Sequence, residues 1–141
     1  MEIPSIARQV RFARAKGSMP HLGISSAYDF TTVERDRAFI QARGLTPQNI
    51  SNFGRKFNNA VNLYWPCVLC YGASALACPF TLGLSVICMR FTMIAEAERE
   101  ARRVVEQSNA MPAFSNARAT WDINHESCFA SSVVLTFAPP R

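Results

Sequence analysis

From Ala60 to Met89 the chain runs for thirty residues without a charged side chain, and the centre of that run reads WPCVLCYGASALACPFTLGLSVIC. Lys56 lies before it and Arg90 closes it. About 20 mostly apolar residues are enough to cross a bilayer core as a helix. Lipid leaves no water to satisfy backbone N–H and C=O groups, so a helix is the form such a run takes there. Pro66 falls near the start, where a helix tolerates proline, whereas Pro79 falls inside and must kink it. Gly72, Ala73, Ser74, Ala75 and Ala77 give the first half a surface that another helix can approach closely. The pattern predicts one kinked span. Two other forms are open: a re-entrant hairpin bent at Pro79, and a buried helix of a soluble domain. The hairpin's arms would be too short to cross singly. The core helix would be unusually long for one without charge.

A chain of 141 residues holds at most one domain. Taking out the span leaves two flanks, neither rich enough in large apolar residues to promise a sizeable core of its own. The net charge of +5 is uneven: residues 1–62 carry nine Lys or Arg against four acids, residues 90–141 six of each. Such a basic half suits anionic headgroups or acidic protein surfaces. The positives are dispersed and accompany no nucleic-acid motif, so no nucleic-acid partner is expected. The opening IPSIARQVRFARAKG is arginine-rich and acid-poor, like an organelle-targeting helix, and no secretory signal peptide is recognisable.

Residues 5–16 read as a short basic helix, with Ile6, Val10 and Ala13 on one face and Arg8 and Arg11 on another. Residues 17–30 read as an extended linker. A second helix is expected from Thr31 or Thr32 to Arg43, stopped by Gly44. A third starts with Thr46 as cap and Pro47 in the first turn. Ile50, Phe53, Phe57, Val61 and Tyr64 follow at helical spacing, and Tyr64 and Trp65 are placed as interfacial aromatics. After Arg90 nothing breaks the helix before Asn109 and Pro112, and Glu98–Arg102 and Arg102–Glu106 are favourable pairs one turn apart. Thr120–Asn124 and Ser131–Phe137 are β candidates. The resulting fold class is a mainly α membrane protein with one kinked transmembrane helix, amphipathic flanking helices and a short C-terminal β segment. Its parts are a basic extended arm with short helices (1–45), an amphipathic helix (46–64), the span (65–89), a charged helix (90–109) and a tail with a candidate β-hairpin (110–141).

Little in the sequence points to catalysis. Cys67 and Cys70 form a C-x-x-C pair, but a structural zinc needs four ligands. Cys78 and Cys88 lie deep in the apolar run and both histidines are remote. Small packing residues or sites of S-acylation near a membrane surface fit these cysteines better. His125, Glu126 and Cys128 are too close along an extended segment to converge on one substrate. There is no phosphate loop and no H-E-x-x-H. No cofactor, metal or small-molecule substrate is expected. Arg8, Arg11, Arg14, Lys16, Arg55 and Lys56 are candidate contacts to lipid headgroups or to partner subunits.

The succession FGRKFNNAVN, LCYGASALACPFTLGLSVIC, EREARRVVEQSN, Trp121 and TFAPP resembles the cysteine-rich hydrophobic domain family over residues 53–140. That family is similar to golgin-A-seven and to accessory subunits of Ras palmitoyltransferase. The resemblance implies a non-catalytic, often palmitoylated, membrane-associated protein, in some members one that stabilises a DHHC-type S-acyltransferase. The family's dense cysteine cluster is thinned here to four dispersed residues. Two functional expectations stand beside each other. The first is an accessory, supernumerary subunit of a large complex such as a respiratory complex or ATP synthase in the mitochondrial inner membrane, with other subunits and lipids as partners. The second is an accessory subunit of an S-acyltransferase on Golgi or plasma membrane. A thiol or zinc redox protein rests on C-x-x-C alone.

Overall fold

The computed structural model describes residues 7–21, 24–31, 34–126 and 131–139. Ile6, Thr32 and Cys128 lie outside them. The opening segment is a strand, not a helix. In β1 (Arg8–Phe12) Val10 and Phe12 are buried while Gln9 and Arg11 face out, the period-two pattern of a half-buried strand. β2 (Pro20–His21) and β3 (Ile24–Ser25) form a small hairpin of their own. Helix α1 (Glu34–Ala42) precedes Gly44, whose φ of 83° turns the chain toward α2 (Pro47–Tyr64). The Asn49 backbone N–H donates to Thr46 Oγ1 at 3.3 Å, and Pro47 occupies the first turn. The apolar run follows as α3 (Val68–Ala77) and α4 (Leu84–Met89). A π-helical turn over Arg90–Ile94 leads into α5 (Ala95–Asn109). The short α6 (Pro112–Asn116), β4 (Ala119–His125) and β5 (Ser131–Phe137) complete the order.

The sheet joins the two ends of the chain. Its order is β1-β5-β4, antiparallel throughout, with Val10 opposite Leu135 and Trp121 opposite Leu135 on the other side. β5, SSVVLTF, is therefore the central strand, and residues 131–135 are all buried. Helices α2 and α5 pack against each other and against this sheet. α2 contributes Ile50, Phe53, Gly54, Phe57 and Val61; α5 contributes Ala97, Ala101, Val105 and Ser108. The alanines let the two helices approach, and the larger α2 side chains reach the sheet. Phe53 stacks on Trp121 of β4 with ring centroids 3.7 Å apart and planes within 9°. Phe12, Phe30 and Phe114 pack around the same indole.

Two expectations are overturned. The first is the fold class. No single helix among the described residues is long and apolar enough to cross a membrane. Pro47–Tyr64 and Leu69–Ala77 would suffice in length together, but they meet at a 59° bend, and the first spends its apolar face on the core. The protein is α+β, not a mainly α protein threaded on one kinked transmembrane helix. The flanks, neither of which promised a sizeable core of its own, supply one shared core, running from Val10 to Phe137, to which each contributes half. The second is the amino-terminal arm. Residues 17–30 are not a bare linker. Tyr28 is 2 % exposed and its hydroxyl lies 2.5 Å from Ser131 Oγ. The Asn58 side chain clamps the Tyr28 backbone, accepting from its N–H and donating to its carbonyl, both at 2.9 Å.

Gly54 is required where α2 meets this arm. A Cβ built there would stand 2.6 Å from two ring carbons of Phe30, well inside van der Waals contact. Gly54→Ala should destabilise the domain by about 1–3 kcal/mol despite alanine's better helix propensity. Chemical denaturation with unchanged m-value measures it; a gain in stability would show that Phe30 moves aside freely.

Candidate functional site

The apolar run folds back on itself as a helical hairpin. Trp65 and Pro66 break the chain direction after α2, and Cys67 caps α3. Residues 78–83 form the tip. Leu82 has φ 53° and Gly83 φ 84°, two consecutive left-handed residues that reverse the chain into α4. For leucine that conformation costs roughly 1–2 kcal/mol. It leaves the Leu82 side chain 93 % exposed, beside Phe80 at 89 %.

Several polar groups of the tip are bonded from within. Pro79 has no N–H to satisfy. The Phe80 and Thr81 N–H groups donate to the Ala77 carbonyl, the Gly83 N–H to Cys78 and the Leu84 N–H to Thr81, all between 2.9 and 3.1 Å. Thr81 Oγ1 donates to the Ala77 carbonyl at 2.9 Å and lies 3.2 Å from Ser85 Oγ, which in turn donates to the Ser74 carbonyl at 2.9 Å. These hydroxyls pin α4 to α3 on the inside. The outside is apolar: Leu69, Leu76, Phe80, Leu82, Leu84 and Phe91 are each 60 % exposed or more. Large exposed apolar patches on soluble domains mark surfaces that meet something, and this hairpin concentrates six large exposed apolar side chains.

At the base the hairpin changes character. The π-helical turn re-aims the chain so that Ile94 is buried while Phe91 stays 77 % exposed. The Arg90 guanidinium donates to Glu98 at 2.6 Å, and the same carboxylate takes Arg102 at 3.1 Å with His125 Nε2 at 3.4 Å. Burial alone would raise the Glu98 carboxyl, but the hydrogen bonds and charges of Arg102 and Arg90 outweigh it and hold it below its ordinary value. A depressed carboxyl stabilises the fold above its unfolded-state value and loses that contribution as pH falls through the folded one. Stability should therefore fall as pH drops below about 4. Glu98→Gln should flatten this part of the pH–stability curve, measured by thermal melts from pH 3 to pH 7.

The residues singled out from sequence are scattered. Arg8 pairs with Asp36 at 2.9 Å and lies over the Phe39 ring, and Arg11 pairs with Glu126 at 3.0 Å. Arg14 and Lys16 are exposed, as are Arg55 and Lys56 on α2. Tyr64 is partly exposed, whereas Trp65 is buried at the hairpin base. Cys67 and Cys70 come together there, both exposed, at the edge of a groove of about 600 Å³ lined by Leu63, Trp65, Phe91 and Met93. Their sulfurs are 2.6 Å apart. Among the described residues no group of three or more His, Cys, Asp or Glu is placed to hold a metal ion. Sequence reasoning missed the Ser74–Thr81–Ser85 lock. Its only trace is the four-residue spacing of Thr81 and Ser85 beside Gly83. Comparison with protein-family models, with curated proteins and with solved structures finds no match.

Proposed function

We propose that this protein is a non-catalytic accessory subunit of a membrane-bound protein S-acyltransferase, held at the bilayer by its apolar hairpin. The observation that carries the reading is the hairpin itself, uncharged from Phe57 to Met89, apolar outside and internally hydrogen-bonded at its tip. Backbone inside lipid must be satisfied within the chain, and the Phe80, Thr81, Gly83 and Leu84 N–H groups of the tip are bonded in this way. α3 has 10 residues and is about 15 Å long, half of a hydrocarbon core of about 30 Å. The hairpin thus enters one leaflet and returns. Cys67 and Cys70 then lie at headgroup level, where S-acylation would add a second attachment.

The choice of complex rests on the resemblance. Its letters are those that build the core and the hairpin: Phe53 and Phe57 of FGRKFNNAVN, Trp121, and Phe137 of TFAPP. The mitochondrial reading drew on a single span and a basic start as well as on small size; in place of the span stands a hairpin, and Arg8–Phe12 of the basic start form strand β1. A tagged full-length chain, isolated in mild detergent, should bring down an integral membrane protein carrying a DHHC cysteine-rich motif, from Golgi or plasma membrane fractions. Recovery with mitochondrial inner-membrane subunits would overturn the choice of complex. A chain found wholly in the soluble fraction would overturn the membrane reading itself.

A further inference from the structure

We propose that Cys67 and Cys70 are a redox-active dithiol which a low-molecular-weight disulfide such as glutathione disulfide oxidises to an intramolecular disulfide, with Cys67 as the attacking sulfur. The inference rests on the geometry of the pair and is independent of which complex the protein serves.

Cys67 is the N-cap of α3 and Cys70 lies in its first turn. The Cys70 backbone N–H donates to Cys67 Sγ at 3.1 Å, and the two sulfurs lie 2.6 Å apart. One backbone N–H therefore meets the Cys67 sulfur at a helix N-terminus, the position that favours negative charge. The Cys70 thiol and then its backbone N–H lower the Cys67 thiol from its ordinary value; the same contact raises Cys70. The pair is thus asymmetric, and Cys67 is the thiol that gives up its proton more readily. The two sulfurs are already in contact, as a disulfide between them requires. Both side chains are exposed, so a small disulfide can reach them. Cys78 and Cys88 have no such arrangement: one lies at the tip and the other on α4.

The exchange takes two displacements. The Cys67 thiolate attacks one sulfur of the small disulfide; that S–S bond breaks, and the leaving thiolate takes a proton from water. Cys70 gives its proton to solvent and attacks Cys67 Sγ in the mixed disulfide. The second small thiol leaves, and the Cys67–Cys70 bond forms. Two protein thiols lose two electrons in all, and one small disulfide becomes two thiols. In the oxidised form neither sulfur remains free to carry another group.

The test uses the full-length protein in detergent micelles, exposed to glutathione disulfide, alkylated and mapped by mass spectrometry. The expected result is a Cys67–Cys70 disulfide with Cys78 and Cys88 alkylated, formed through initial reaction at Cys67 at least roughly threefold faster than at Cys88. In Cys70→Ser the mixed disulfide should accumulate on Cys67, and in Cys67→Ser no internal disulfide should form. Equal reaction of Cys67 and Cys88, or a mixed disulfide that persists on wild-type Cys67 without resolution by Cys70, would overturn the proposal.

Discussion

Phe80→Arg combined with Leu82→Arg should release the protein from membranes while leaving its melting temperature within a degree or two of wild type. The two side chains are 89 % and 93 % exposed in the folded chain, so charging them removes no internal packing. Arginine at position 82 bears the same left-handed backbone penalty as leucine, so strain is unchanged. The cost falls on insertion. A tip about 15 Å deep lies near the bilayer centre, where one arginine is unfavourable by about 2.5–3.5 kcal/mol on insertion scales. That is roughly a hundredfold in partitioning for a single charge, and the double variant should lose more. Flotation with vesicles reads the partitioning, and thermal unfolding reads the fold. A variant that still floats with lipid would show that the tip stays outside the hydrocarbon.

Trp121→Ala should have the opposite profile, collapsing the domain. The indole is 1 % exposed, lies face to face with Phe53, and touches Phe12, Phe30 and Phe114, so it links β1, the amino-terminal arm, α2, α6 and the sheet. Removing a buried tryptophan costs about 3–5 kcal/mol. Small domains have only about 5–15 kcal/mol in hand, so a large unfolded fraction is expected at physiological temperature. Trp121→Phe should cost much less. It keeps a stacked ring, and it removes an indole Nε1 that is buried without a hydrogen-bond partner among the described residues. Denaturant titration of both variants gives the comparison; equal losses would mean that ring stacking contributes little here.

What the sequence disclosed follows from how local each signal is. Helix α2 was legible because Thr46, Pro47 and the Phe53–Phe57–Val61 stripe all lie within one segment. β5 was legible because SSVVLTF has few competing readings. β1 was not. RQVRF alternates as a strand does, but the arginine-rich stretch around it also spaces its apolar residues as a helix would. What decides is its partner, Leu135 opposite Val10 at the far end of the chain. The apolar run failed for a different reason. A transmembrane helix and a helical hairpin share one composition, and the difference resides in a few polar atoms and two backbone angles at residues 81–85. Of the candidate site, the pairing of Cys67 with Cys70 could be read from C-x-x-C. The clustering of Arg90, Glu98, Arg102 and His125 at the hairpin base could be read only in part, as the Glu98–Arg102 pair on one helix face.

The sheet makes one topological demand that a spanning helix cannot meet. β1 from the amino-terminal flank lies hydrogen-bonded to β5 from the carboxy-terminal flank, and α2 packs on α5, so both flanks of the hairpin belong to one folded body. Epitope tags at the two ends of the full-length chain, probed by antibody after selective permeabilisation of the plasma membrane, read this directly. Both tags should be accessible on the cytosolic side, on a chain that resists extraction by carbonate. Tags on opposite sides of the membrane would mean that the apolar run crosses it and that the flanks cannot share this core.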